Sequence, residues 1–112
     1  MIVDDRITTY LHSLEMPDIP VIEEIEKEAL EAYVPIIRKE TQSFLKVLLT
    51  IQKPKRILEV GTAVGFSAVL MSHYMPKDGH IITIENYEKR IPVARANFAR
   101  AEKEDKITLL EG

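Results

Sequence analysis

The stretch Ile57-Leu58-Glu59-Val60-Gly61-Thr62-Ala63-Val64-Gly65-Phe66-Ser67 constrains this chain more than any other. It reads as a short apolar strand ending in an acid, then a glycine-bearing turn, then the start of a helix. Without a side chain at the glycines, the backbone amides of such a turn can approach a carboxylate-bearing or anionic ligand closely. Further along, the apolar run His80-Ile81-Ile82-Thr83-Ile84 ends in Glu85, a second strand-end acid. An acid in that position can grip a ribose diol through two hydrogen bonds. Glycine turn and strand-end acid together describe a site for a nucleoside cofactor.

Apolar periodicity orders the rest of the chain around that site. Residues 4–15 are expected to form a short helix, with Ile7, Tyr10, Leu11 and Leu14 at helical spacing. Pro17 and Pro20 punctuate the stretch after it. A second helix is expected over residues 21–33, with Ile22, Ile25, Ala29 and Tyr33 on its inner face. Val34-Pro35-Ile36-Ile37 reads as an extended apolar segment, and Thr41 as the N-cap of a third helix reaching Gln52. That helix is expected to bury Phe44, Leu45, Leu48, Leu49 and Ile51. Strands follow at residues 56–60, 80–84 and 107–110, with helices at 65–74 and 88–102 between them. Pro76-Lys77-Asp78-Gly79 is a turn by composition.

Three helices followed by β-α-β-α-β is an α/β pattern. It predicts a parallel sheet with right-handed crossovers, strand one beside strand two and strand two beside strand three. Such a sheet leaves strand one as an apolar edge, where a doubly wound fold places further strands. The chain is therefore expected to be the first half of a larger domain. Residues 1–53 form its helical segment, and residues 54–112 are the truncated first half of its cofactor-binding sheet.

Composition narrows the partners. The net charge is −3, and the two halves of the chain carry 8 and 7 basic side chains against 10 and 8 acidic ones, so no basic face announces phosphate binding. There is no cysteine, which removes disulfides, thiolate metal ligands and thiol nucleophiles. Acids stand at Asp4 and Asp5, where a signal peptide carries basic residues. No run approaches the roughly 18 apolar residues of a membrane span. A cytoplasmic protein without a membrane partner is the expectation.

The spacing Gly61-x-x-x-Gly65 is not the G-x-G-x-x-G of nicotinamide-binding turns, which counts against a dehydrogenase. Glu59 can order the turn, accept from a ligand ammonium, or merely cap backbone amides. Ser67 stands in the first helical turn and can offer its hydroxyl or its amide. Tyr87, just past Glu85, is the tyrosine placed to lie against an adenine. His12, His73 and His80 have no metal-ligand spacing, and no Ser-His-Asp grouping, carboxylate cluster or phosphate-binding lysine loop is present. No catalytic residue and no metal ligand is read from this chain.

The motif E-x-G-x-x-x-G-x-S at Glu59–Ser67, the lead-in Pro54-Lys55-Arg56-Ile57, Thr83-Ile84-Glu85, the segment 34–37 and the helix after Thr41 resemble the class I S-adenosylmethionine-dependent O-methyltransferases. The likeness is to their metal-dependent catechol and caffeoyl-CoA branch, and within it to bacterial enzymes that methylate 5-hydroxyuridine in tRNA. It covers residues 30–112 well and the first 30 loosely. The resemblance implies a Rossmann-like methyltransferase sheet. Glu59, Gly61, Thr62 and Gly65 would form the turn that holds the methionine part of the cofactor. Ser67 would meet its carboxylate end, Glu85 its ribose hydroxyls, and Ile37 would close over it near the sulfur. A divalent cation, magnesium, would hold the acceptor hydroxyl on residues beyond Gly112, and the parent would be a homodimer or self-associate through the sheet edge. The 112-residue chain alone is then expected to be inactive. Two alternatives stand beside this: an enzyme for a small catechol-like hydroxyl, and a non-catalytic, self-associating nucleoside-binding module.

Overall fold

The computed structural model describes Arg6 and residues 19–112. The helix expected over residues 4–15 lies outside the described residues apart from Arg6, as does His12. Helix α1 spans Pro20–Glu31 and α2 Lys39–Gln52, followed by β1 Arg56–Val60, α3 Phe66–Tyr74, β2 His80–Glu85, α4 Ile91–Arg100 and β3 Ile107–Glu111. The strands form one parallel sheet in the order β1-β2-β3. This is the expected α/β architecture.

Local chemistry explains where the bounds differ from expectation. Pro20 does not punctuate before α1; it is the first helical residue, where its missing N–H costs nothing. Helix α1 ends at Glu31, and Tyr33 follows at φ 57° with 93% of its surface exposed. Tyr33 therefore does not extend the inner face, which consists of Ile22, Ile25 and Ala29. Helix α2 is capped by Arg38 in an extended conformation, so it begins before Thr41, which is not its N-cap. The larger correction concerns its faces. Phe44, Leu48 and Ile51 are exposed, whereas Gln42 and Leu49 are buried. Apolar residues lie on both sides of this helix, and the side carrying Gln42 and Leu49 is the one that packs. Helix α4 is shorter than expected, its ends unwinding into turns at residues 88–90 and 101–102.

Parallel pairing places Ile57, Ile81 and Ile107 in one row and Glu59, Thr83 and Leu109 in the next. Alternation along each strand turns both rows toward one face. Ile81, Thr83, Ile107 and Leu109 are buried there in a core with Ile22, Ile25, Leu49, Phe66, Val69, Leu70, Ala94 and Phe98. The opposite face carries Leu58, Val60, Ile82 and Leu110, all exposed, and β1 pairs only with β2 among the described residues. The helices thus cover one side of the sheet.

Candidate functional site

The turn after β1 is held from beneath by hydrogen bonds. Gly61 N–H donates to Ile84 O at 2.8 Å, which continues the β1–β2 ladder one residue beyond the strand. Gly65 N–H then closes the turn onto Thr62 O at 2.9 Å. Gly61 and Gly65 have φ of 94° and 87°, in the left-handed region that favours glycine. Ala63 lies there too, at φ 50°. Asn97 on α4 anchors the turn from behind: its buried amide donates to Val64 O at 2.7 Å and its carbonyl accepts from Arg100.

The two glycines serve different ends. A Cβ on Gly61 would meet nothing within 4 Å, so this position opens onto space. A Cβ on Gly65 would stand 2.6 Å from Phe98 Cε1, so Gly65 is small because α4 packs against it.

Above the turn lies a cavity of about 230 Å³ lined by Pro35, Ile36, Ile37, Gly61, Thr62, Ala63, Val64, Phe66 and Ser67. Four of the seven residues singled out from sequence, Ile37, Gly61, Thr62 and Ser67, therefore line one cavity. Ile37 reaches it from the extended segment after α1, whose carbonyl accepts from buried Gln42 Nε2 at 2.9 Å. The same amide donates to Glu26 Oε2 at 2.8 Å, and Lys39 pairs with Glu26. Gln42 and Asn97 went unnoticed in the sequence because a single polar residue on a helix carries no pattern. Gln42 breaks the apolar stripe of α2, and that break was the available signal.

Glu59, Gly65 and Glu85 surround the cavity without lining it. Both carboxylate oxygens of Glu59 are occupied: Ser67 Oγ donates to one, and Thr83 Oγ1 donates to the other at 2.7 Å. Thr83 Oγ1 also pairs with Thr62 Oγ1 at 2.6 Å. Burial pushes the Glu59 carboxyl above its ordinary value, against the lowering effect of the Ser67 and Thr83 hydroxyls. These two bonds tie Glu59 to the first turn of α3 and to β2, and the remaining lone pairs of its carboxylate are open to a further donor. The Ser67 hydroxyl proton is spent on Glu59. What Ser67 presents to the cavity is its oxygen lone pairs and, in the first turn of α3, a backbone N–H with no intrahelical acceptor.

Glu85 bridges the ends of the two loops. Its Oε1 accepts from Ala63 N–H at 2.7 Å, and its Oε2 from Asn86 and Tyr87 N–H at 3.2 and 3.1 Å. These bonds, the one from Ala63 foremost, hold its carboxyl below the ordinary value. Tyr87 is half exposed, with the Arg90 guanidinium 5.4 Å from its ring centroid. His73 is exposed and His80 half-buried, bonded to Thr108. Among the described residues no group of three or more His, Cys, Asp or Glu side chains could hold a metal ion, and no helix is long and apolar enough to cross a membrane.

Known proteins resemble this chain in sequence and fold. The profile of a family described as O-methyltransferase matches residues 12–112. Catechol O-methyltransferase of Niastella koreensis is 36% identical over 69 residues, 62% of this chain and 31% of that protein. Catechol O-methyltransferase of Mycobacterium tuberculosis is 29% identical over 108 residues, 95% of this chain and 49% of that protein. The O-methyltransferase of Bacillus cereus, solved in complex with SAH, superposes with a TM-score of 0.82 at 28% identity, covering 96% of this chain and 50% of that one. The chain thus spans about half the length, or less, of these relatives.

Proposed function

This chain belongs to the O-methyltransferase family, and we propose that it carries the S-adenosylmethionine-binding part of an enzyme that methylates a hydroxyl group. Its fold is that of the S-adenosylmethionine-dependent O-methyltransferases. The observation that carries the proposal is the cavity at the carboxyl end of β1, open at Gly61 and closed by Ile37, with Glu85 at the carboxyl end of β2 beside it. Ligands of open α/β sheets bind in that crevice.

Its volume suits the methionine part of the cofactor, whose nucleoside would extend toward Glu85 and Tyr87. When bound, the cofactor supplies a methyl group on a sulfonium. Gly61, Thr62 and Ala63 give the backbone that cradles the amino-acid end, and the first turn of α3 offers the Ser67 N–H to its carboxylate. Glu59 acts behind them by holding Ser67, and Gly65 by letting α4 approach. Ile37 covers the sulfur and excludes water. Glu85 grips the ribose hydroxyls. A carboxylate accepts at about four lone-pair sites, and three are taken, so gripping both hydroxyls displaces at least one backbone N–H. All of this is positioning, which fixes the distance and angle of an in-line transfer.

In the proposed enzyme, residues 1–53 form the helical wall over the cofactor and 54–112 the first half of the binding sheet. The proposed acceptor is 5-hydroxyuridine of tRNA; a divalent cation, magnesium, would lower the pKa of its hydroxyl, with ligands we assign to none of the described residues. The resemblance of residues 30–112 supports that acceptor. A catechol-like hydroxyl is the second reading, favoured by the names of the curated relatives. The exposed apolar face of the sheet and the one-sided pairing of β1 support self-association, and the cytoplasm is the proposed location.

Calorimetry tests the core of the proposal. S-adenosylhomocysteine is expected to bind this chain and NAD to give no heat, while methyl transfer by the chain alone is expected to be absent. Absence of heat with S-adenosylhomocysteine at millimolar concentration would overturn the assignment. Methyl transfer by the longer protein to hydroxyuridine tRNA, compared with catechol, decides the acceptor.

A further inference from the structure

We propose that Thr83, a residue buried beneath the cavity and touching none of it, is the positioning residue that sets the proton pattern of the ligand site. The inference rests on the cofactor site proposed above, and it starts from a count of protons. Thr83 Oγ1 lies within hydrogen-bond distance of Glu59 Oε1 and Thr62 Oγ1. An ionised carboxylate only accepts, so the single Thr83 hydroxyl proton goes to Glu59. Thr83 must then accept, and the Thr62 proton points at Thr83. The direction of every bond follows: Thr62 to Thr83, Thr83 to Glu59, and Ser67 to Glu59.

Two residues that line the cavity, Thr62 and Ser67, are thereby turned so that their hydroxyl protons face away from it. Without the Thr83 hydroxyl, Glu59 Oε1 loses its donor and the Thr62 proton loses its acceptor. Thr62 is 1% exposed, so water has little access to replace that partner. Thr62 would then rotate its hydroxyl, and Glu59 would pull away from the position in which it holds Ser67. The arrangement needs a hydroxyl in the strand row opposite Glu59, where register places Thr83 directly beside it.

Thr83→Val keeps the shape and removes the hydroxyl, and Thr83→Ser keeps the hydroxyl and removes the methyl. Two readouts apply: calorimetric affinity for S-adenosylhomocysteine, and the Glu59 titration followed by ¹³C carboxyl NMR in the absence of ligand. Thr83→Val is expected to weaken binding by roughly tenfold, the size of one charge-assisted hydrogen bond, and to raise the Glu59 midpoint. Thr83→Ser is expected to restore both to near the wild-type values. If the Val variant does not fold, Thr83→Cys, with its weak S–H donor, is read in the same way. Wild-type affinity in the hydroxyl-free variant, or equal loss in the serine variant, overturns the inference. Should the wild-type chain itself bind no S-adenosylhomocysteine, the cofactor assignment fails. The Glu59 midpoint then decides alone: an unchanged value in Thr83→Val refutes the role of Thr83.

Discussion

Gly65→Ala separates two reasons for a glycine in one turn, and its cost can be built from the geometry. The residue has φ 87°, and an L side chain in the left-handed region costs about 1–2 kcal/mol. The new methyl would also stand 2.6 Å from Phe98 Cε1 and 3.2 Å from Cζ, inside any van der Waals contact. Phe98 is 3% exposed, so its ring can yield only by displacing the core between α4 and the sheet. Forcing an extra methyl into a packed core costs a further ~1–3 kcal/mol. The expected destabilisation is therefore about 3 kcal/mol, a large share of the ~5–15 kcal/mol stability of an ordinary domain. Gly61→Ala is the control. It has φ 94° but nothing within 4 Å of the new methyl, so only the backbone cost of about 1–2 kcal/mol remains. Urea unfolding followed by far-UV circular dichroism measures both, with unchanged slope as the condition for comparison. A third protein, Gly65→Ala with Phe98→Leu, should show favourable coupling, because the shorter side chain vacates the contact. Equal costs for the two glycines, or no coupling to position 98, would refute the claim that Gly65 exists for helix packing.

Two carboxyls should give opposite pH signatures. Glu85 has a folded-state value below its ordinary one, so it adds stability above the ordinary glutamate range that is lost as pH falls through the folded value. Thermal melts of Glu85→Gln should lose that part of the acid dependence. Glu59 has a raised folded-state value, so its stability contribution is present in acid and is lost as pH rises through that value. Melts of Glu59→Gln should fall less between pH 4.5 and neutrality than those of the wild type, and an unchanged profile would argue against its burial. At the end of α2, Lys53 holds a left-handed conformation at φ 49°. Lys53→Gly should raise stability by about 0.5–1 kcal/mol in urea unfolding, since glycine is the usual occupant of such a cap.

Much of the fold was legible because its signals are local. Apolar runs of strand length, glycine at the turn and proline at helix ends act within a few residues, and β1, α3, β2 and β3 fall within a residue of expectation. Helix α2 misled because Phe44, Leu48 and Ile51 are as apolar as Leu49. Which side of an amphipathic helix packs depends on what approaches it, and here the approach comes on the side of Gln42, whose amide holds the segment before the helix.

For the site, the sequence alone determined where the turn lies, which strands end in acids, and that both acids sit at the same end of a parallel sheet. Those properties follow from strand polarity and chain order. It could not say what each side chain does there. Register brought Thr83 beside Glu59 and made its hydroxyl a donor to that carboxylate. The packing of α4 gave Gly65 its reason, and the left-handed Ala63 gave Glu85 an N–H to hold. Each of these is a contact between residues 22 to 33 positions apart. Such contacts are decided by packing across elements, which no local preference encodes.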